Sequence, residues 1–264
     1  MKESTEAVFA QVEFPPIENI VEWPEIFFKD TAVAFNKIGL INLIAVLVPV
    51  VIFLVAAAKY KSRRVPKGIQ TIAESAIGFI ENGIIMQTIG PDGLRYLPLL
   101  ISLFFFILVG NLFEVIPGFH MPANARMANP MILAVMVLVI FIAVGIKHNG
   151  PLRYFKSALF PPGVPTALYV LVTPIELLST FIVRPFSLAV RLFANMLAGH
   201  ILLVTFSVLC ITTFTLSLLV VIFPFAFGML TALTAFEIMV AFLQAYIFTI
   251  LTAVYIGGAL HPDH

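Results

Sequence analysis

The stretch 167–260 is almost continuously apolar, and it constrains the fold more than any other feature of the sequence. Its formally charged members are Glu176, Arg184, Arg191 and Glu237. The whole chain of 264 residues is 61% hydrophobic and 11% charged, whereas soluble domains are about 45–50% apolar and about 25% charged. A water-soluble fold of this length cannot bury so much apolar surface. The sequence therefore predicts an integral membrane protein.

Apolar runs long enough to cross a membrane divide the chain. A bilayer core about 30 Å thick needs about 20 largely apolar residues per helix, and such runs cover about 38–58, 96–116 and 131–146. The stretch 167–260 is far longer than one span but has few polar breaks, so two long, tilted helices meeting near Pro224 fit it best. We expect an all-α membrane protein with about five transmembrane helices, the last two forming an antiparallel hairpin.

The segment between the first two spans has an amphipathic pattern. One helical face carries Ile69, Ile72, Ala73, Ala76, Ile80 and Ile84, and Gln70, Glu74 and Glu81 lie elsewhere. This pattern predicts an interfacial helix on the cytoplasmic surface.

Clusters of basic residues predict the topology. The first span is followed by Lys59, Lys61, Arg63, Arg64 and Lys67, and the third by Lys147, Arg153 and Lys156. Because positive residues stay on the cytoplasmic side, we expect the N-terminus outside and the C-terminus in the cytoplasm. The acidic N-terminus lacks the pattern of a secretory or transit peptide, which favours the bacterial plasma membrane, with an organelle inner membrane as the alternative.

The chain is predicted to be a single membrane domain, 1–264, with three parts. Residues 1–37 form an outer N-terminal segment. Residues 38–166 hold the first span, the interfacial helix and a transmembrane hairpin closed by a Pro-rich turn. Residues 167–264 form the hairpin that we expect to carry the function, because the intramembrane charges lie there.

Several classes of function are excluded by composition and motif. A formal net charge of +1 provides no basic stripe for nucleic acid. The single Cys210 cannot form an intrachain disulfide. The histidines outside the apolar helices lack metal-ligand spacing, and no phosphate-binding glycine loop occurs. We therefore expect no metal, no cofactor and no ATP chemistry in this chain.

Arg191 lies well inside an apolar run, where insertion of an arginine costs about 2.5–3.5 kcal/mol. Arg184 precedes Pro185 and lies about 10 Å nearer the cytoplasm, so we expect its side chain to reach the headgroups. Glu176 is fifteen residues before Arg191, or about 22 Å along a helix axis, which is too far for an ion pair. The partner of Arg191 is therefore expected on another element or another chain.

His200 and the polar residues of the last helix suggest a second, separate surface. His200 lies nine residues after Arg191, which is about 900° around a helix and thus the opposite side. Glu237 and Gln244 are seven apart and share a face. If the helices run antiparallel, Gln244 lies at the depth of Arg191, and Glu237 at that of His200. The pair of His200 and Glu237 is either a proton relay or a buried hydrogen bond that holds two helices together.

Two further acids have open interpretations. Glu114, at the outer end of the second span, either begins an outer pathway or is an exposed interfacial acid. Glu176 either lines an inner pathway or is a first-turn acid that interacts favourably with the helix dipole.

Two segments, RPFSLAVRLFANMLAGH and FEIMVAFLQAYIFTILTAVYI, resemble subunit a of the F-type ATP synthase membrane sector. The resemblance extends to GNLFEVIP and TPIELLS and covers roughly the last two-thirds of the chain. It implies that Arg191 faces the carboxylate of the c-ring rotor, and the family's asparagine and glutamine match Asn195 and Gln244. Some members carry Glu at the position of His200 and His at that of Glu237, so the pair is exchanged here as in other members.

The resemblance implies a proton-translocating stator subunit. Protons would pass Glu114, His200 and Glu237, load a rotor carboxylate and leave near Glu176, with Arg191 separating the two half-channels. The implied partners are the c-ring, the peripheral-stalk b subunits, the rest of the F-type ATP synthase and the lipid bilayer. The transported ion would be H⁺, with Na⁺ not excluded.

Two other classes of function are alternatives to the stator. A self-contained proton- or ion-coupled transporter would use Arg191 to bind an anionic substrate or to pair with an internal acid. A purely structural scaffold is disfavoured by the cost of Arg191. A rotor-facing surface should also be rich in small residues, as Ala189 and Ala194 suggest.

Overall fold

The computed structural model describes residues 37–60, 67–116, 121–160, 165, 168–215 and 220–261, and these contain helices and no strand. The predicted N-terminal segment, apart from Lys37, and the basic residues within 61–66 lie outside this part. The helices are α1 Lys37–Tyr60, α2 Ile69–Ile80, α3 Leu97–Leu112, α4 Ala128–Asn149, α5 Pro151–Leu159, α6 Tyr169–Leu178, α7 Arg184–Thr215 and α8 Phe223–Leu260.

Five helical segments of the described chain are long and apolar enough to cross a membrane. They are Lys37–Ala58, Pro91–Leu112, Ala128–Asn149, Tyr169–Phe214 and Phe223–Leu260. The prediction of an all-α, multi-pass membrane protein with about five spans is therefore confirmed.

The last two spans are much longer than a bilayer requires. A π-helical turn, Ser179–Val183, joins α6 to α7 without a break, so one helical segment covers 46 residues, and α8 has 38. At 1.5 Å per residue these lengths are about 69 Å and about 57 Å. Because the hydrocarbon core is about 30 Å thick, both helices must be strongly inclined or extend beyond it.

The core lies where α3, α4, α7 and α8 pack together. Large side chains such as Leu100, Leu192 and Phe248 are fully or almost fully buried there. The α8 face in this core also carries buried alanines, at 241, 245 and 253, and small residues let membrane helices approach closely.

The second and third spans differ from their predicted bounds. Helix α3 ends at Leu112 rather than 116, and a turn follows in which the Glu114 amide donates to the Asn111 carbonyl (3.1 Å). Pro117 lies five residues beyond Leu112, and the residue before a proline disfavours the helical conformation, so a helix that continues to Ile116 is disfavoured. Helix α4 runs from Ala128 to Asn149 rather than 131–146 and ends at Gly150, whose φ of 78° suits glycine.

The apolar side chains of α2 divide between the interior of the protein and its outer surface. Ala73 and Ile80 are buried, but Ile72 is 59% exposed and Gln70 is 3% exposed. The Gln70 amide donates to Glu74 (2.9 Å), which gives the nitrogen of this buried side chain a hydrogen-bond partner. Helix α2 packs against α1 and α3, so tertiary contacts rather than its own amphipathic pattern decide which side is covered.

The Pro-rich turn between the second and third spans folds into the molecule. Residues 117–120 lie outside the described part, but Met121, Ala123, Asn124 and Ala125 are at most 1% exposed. The 3₁₀ turn Ala123–Ala125 packs against α1, α3, α4 and α7. A buried connection is unusual, because its backbone polar groups must find partners away from water.

The ends of three spans meet on one side of the molecule. Asn149, at the end of α4, donates to the Ala259 carbonyl near the end of α8 (2.9 Å). The His261 ring lies 3.7 Å from the Asp92 carboxylate, in the 3₁₀ segment that leads into α3. The first turns of α3 and the last turns of α4 and α8 therefore share a side, as alternating spans require.

Candidate functional site

Helix α7 has an exposed face that carries Arg191. This exposed stripe consists of Arg184, Ser187, Arg191, Ala194, Asn195 and Ala198. Its members recur every three or four residues, which is the spacing of one helical face. Within the described chain no carboxylate forms an ion pair with the Arg191 guanidinium.

The opposite face of α7 is buried. Leu188, Ala189, Leu192 and Met196 are 0–2% exposed, and His200 is 4% exposed. The prediction that Arg191 and His200 serve different surfaces agrees with this arrangement. The suggestion that Ala189 lies on the same small-residue surface as Ala194 is wrong, because Ala189 points into the core and Ala194 lies in the exposed stripe.

Glu237 of α8 meets α7 at Gly199, the residue before His200. A Cβ atom added to Gly199 would overlap the Glu237 carboxyl group, so the missing side chain makes room for the acid. Glu237 is 3% exposed. The two helices therefore bring a buried acid and a buried imidazole to the same level, and Gly199 is a site residue that sequence reasoning missed, although it lies in the quoted AGH segment.

Glu114 is buried rather than interfacial. It follows α3, beyond the segment Pro91–Leu112, and is 2% exposed. Burial and, to a lesser degree, the charge of Glu237 raise the pKa of Glu114. The two acids are far apart in sequence, but the helix before Glu114, α3, packs against α8, which carries Glu237.

Two asparagines that sequence reasoning did not select adjoin Glu114. Asn124, in the buried 3₁₀ turn, donates through Nδ2 to Oδ1 of Asn111 at the end of α3 (2.7 Å). Both are at most 1% exposed. The available signal was an asparagine within the apolar run before Glu114, since polar groups there are costly. We refer to Asn111, Glu114, Asn124 and Glu237 as the buried polar cluster.

The two predicted amide residues lie on different surfaces. Gln244 is 4% exposed and lies two turns along α8 from Glu237. Glu237 lies beside Gly199, and α7 and α8 run antiparallel, so the residue seven after Glu237 is level with the residue seven before Gly199, which is Leu192. Gln244 therefore lies at about the level of Arg191. Asn195 is in the exposed stripe, one turn from Arg191, and the structure does not bring it to the buried polar cluster.

Glu176 is half-buried in α6. It is the eighth residue of that helix, Tyr169–Leu178, so its interpretation as a first-turn acid is wrong. It lies about 22 Å along the helical segment from Arg191, well separated from that residue.

No group of three or more His, Cys, Asp or Glu side chains in the described ranges could hold a metal ion. The polar chemistry of the described site is that of carboxyl, imidazole, amide and guanidinium groups.

Comparison with known proteins gives the same family throughout. Residues 40–257 match the family model described as ATP synthase A chain. The chain is 45% identical to ATP synthase subunit a of Frankia alni over 92% of this chain and 83% of that protein. It is 44% identical to ATP synthase subunit a of Pseudarthrobacter chlorophenolicus, over 94% of both. Identity to ATP synthase subunit a of Rhodococcus erythropolis is 40%, over 91% and 88%. The chain therefore belongs to the ATP synthase A chain family, whose curated relatives are subunits a of ATP synthase.

Proposed function

We propose that this chain is the proton-translocating stator subunit of an F-type ATP synthase membrane sector. It provides two offset half-channels to the carboxylates of a c-ring, and Arg191 separates them. The observation that carries the proposal is the division of α7 into an exposed stripe containing Arg191 and a buried face that meets Glu237.

The exposed stripe fits a rotor. An arginine within an apolar span is costly unless a partner compensates its charge, and the described residues of this chain supply no acid to Arg191. A carboxylate on a neighbouring rotor helix satisfies this need. Ser187, Ala194 and Ala198 in the same stripe are small, so a neighbouring helix can come close and slide past.

The buried polar cluster and His200 fit the outer half-channel. Glu114, His200 and Glu237 are titratable groups inside an apolar fold, which is costly and typical of proton relays. Gln244 continues this line to the level of Arg191. Glu176, on the other side of Arg191 along the α6–α7 segment, belongs to the inner half-channel.

Arg191 acts by charge. Its guanidinium favours the ionised form of a rotor carboxyl that faces it, so a rotor site releases its proton there. The same positive charge opposes direct passage of a proton between the half-channels. ATP chemistry takes place elsewhere in the complex, and peripheral-stalk b subunits hold this chain against rotation. The protein lies in a bacterial plasma membrane, with the N-terminus outside and the C-terminus in the cytoplasm.

The test compares two arginines of the exposed stripe. In membranes that contain the whole complex, Arg191→Ala should abolish proton-driven ATP synthesis while the subunit still assembles. The matched control is Arg184→Ala, which removes the same side chain seven residues earlier, where the guanidinium lies over the Tyr255 ring (5.7 Å). We expect Arg184→Ala to retain most of the activity.

Normal ATP synthesis by assembled Arg191→Ala complexes contradicts the proposal. Solute transport by the purified chain alone would instead support the self-contained transporter. Synthesis driven by a sodium gradient and insensitive to a protonophore would identify Na⁺ as the transported ion.

A further inference from the structure

We propose that Asn124 is a positioning residue of the outer half-channel: it fixes the Asn111 carboxamide beside Glu114. The inference rests on the proposed function and assigns a purpose to the buried connection between the second and third spans. Its residues were predicted only as a Pro-rich turn.

The first step is the burial of the turn itself. Ala123, Asn124 and Ala125 are 1% exposed and packed among four helices. Ordinary connections lie at the surface, where water satisfies their polar groups. Here an amide side chain is carried inward, and a buried amide is stabilising only when its hydrogen bonds are made.

The second step is the direction of the hydrogen bond. Asn124 Nδ2 donates to Asn111 Oδ1 (2.7 Å). This leaves Asn111 Nδ2 and Asn124 Oδ1 buried and without a hydrogen-bond partner among the described residues, and Glu114 Oε1 and Glu237 Oε2 are in the same condition. The buried polar cluster therefore presents one asparagine donor, one asparagine acceptor and two carboxyl oxygens, which is a complementary set for water molecules or a transferred proton.

The third step is the proximity of Asn111 to Glu114. The Glu114 backbone amide donates to the Asn111 carbonyl (3.1 Å), so the two residues share one turn. The carboxamide that Asn124 fixes thus belongs to the same turn as the first acid of the proposed path. Glu114 shares this turn, Arg126 is two residues after Asn124, and His200 lies on α7, which packs against the 3₁₀ turn. Glu237 lies on α8, which packs against α3. A freely rotating carboxamide would present its donor and its acceptor in turn, whereas a fixed one keeps the donor available.

An asparagine in the first turn of α4 provides the matched control. Asn129 Nδ2 donates to Asn42 Oδ1 (3.0 Å) and to the Ala123 carbonyl (2.9 Å). Asn129 therefore holds the same 3₁₀ turn, but through α1 and the turn backbone instead of Asn111.

The experiment measures passive proton conduction by the membrane sector after the soluble ATPase is removed, per assembled complex and as a function of pH. Asn124→Ala should lower conduction about tenfold, the size expected when a buried polar group loses its partner, and should displace the pH profile. Asn129→Ala should conduct within about twofold of the unchanged protein, with the same profile. Asn124→Leu, which fills a similar volume with apolar atoms, should behave like Asn124→Ala and keeps the turn packed.

A double variant tests whether Asn124 acts through Asn111. In complexes that carry Asn111→Ala, the further change Asn124→Ala should reduce conduction by less than about twofold, because coupled residues are not additive. Independent, multiplying losses would overturn the inference. Normal conduction by Asn124→Leu, or an equal loss with an unchanged pH profile in Asn129→Ala, would overturn it as well. Failure of the unchanged membrane sector to conduct protons would instead count against the proposed function.

Discussion

The two faces of α7 differ in what surrounds their polar residues. On one face, the exposed stripe carries Arg191 among small residues, without an acidic partner in the described chain. On the other face, Gly199 meets Glu237 of α8, and the neighbouring His200 is buried among apolar side chains of α7. One helix therefore presents the charge of Arg191 to a partner outside the chain, and its other face helps to bury two titratable residues, His200 and Glu237. The difference teaches that coupling to a rotor and protection of a proton path can be built on opposite sides of a single helix.

The two faces also differ in how strongly a substitution or a small displacement affects the protein. Apart from Arg184, whose guanidinium lies over the Tyr255 ring, the side chains of the exposed stripe are left uncovered by the described chain. A substitution at one of these positions therefore changes contacts with a partner more than it changes the fold. Glu237 and Glu114 are buried without full hydrogen bonding, so small displacements alter the energy of their charged forms. The predictions below test this contrast from the largest expected effect to the smallest.

The guanidinium geometry of the exposed face is tested by Arg191→Lys. Lysine keeps the positive charge but loses the planar, delocalised guanidinium that presents several donors at once. We expect ATP synthesis to fall at least about tenfold, corresponding to about 1.4 kcal/mol or more. Wild-type rates in assembled complexes would show that any cation at this position is sufficient.

The space on the buried face is tested by Gly199→Ala. The added Cβ overlaps the Glu237 carboxyl group, and this flexible side chain must rotate away. We expect the complex to assemble but passive proton conduction to fall about tenfold, since a displacement of about 1 Å can cost still more. Gly228→Ala on α8, where an added Cβ meets nothing within 4 Å, is the control. Equal conduction by both variants would show that the position of the Glu237 carboxyl group does not affect proton conduction.

The buried pair is tested by exchange. His200→Glu and Glu237→His should each slow proton uptake several-fold, whereas the double exchange should recover more activity than either single change, because it restores one acid and one imidazole. The measurement is passive conduction against pH. A relay predicts a displaced pH profile, and a lost packing bond predicts a lower amplitude with the profile unchanged. Normal conduction and profile in both single variants would rule out the relay.

The identity of the exposed face is tested with two alanines of α7, in a chain in which Cys210 is first replaced by alanine. Ala194→Cys lies in the exposed stripe, and Ala189→Cys is fully buried. We expect oxidation to cross-link position 194, and not 189, to a cysteine on the rotor helix. Both substitutions are small, so activity before oxidation should change by less than about twofold. A cross-link from 189 alone would reverse the assignment of the faces.

Much of the architecture follows from local sequence properties. Span length is a matter of apolar run length, so five spans and the unusual extent of 167–260 were predictable from the sequence. The opposite directions of Arg191 and His200 follow from helical periodicity alone. The shared face of Gln244 and Glu237, and their depth relative to residues of α7, were predictable in the same way. Their burial was not.

The tertiary structure decided which polar groups meet. From the sequence, Glu114 fits an exposed acid or a buried one equally well, and only the tertiary packing around the end of α3 buries it. Asn124 lies in a Pro-rich segment that sequence rules assign to a surface turn. Its burial depends on four helices, of which α1 and α7 are far from it in sequence. The sequence by itself determined the helices and the face on which each charge lies, because those are local, periodic properties. The meeting of the acids and amides depends on long-range packing, which no single segment encodes.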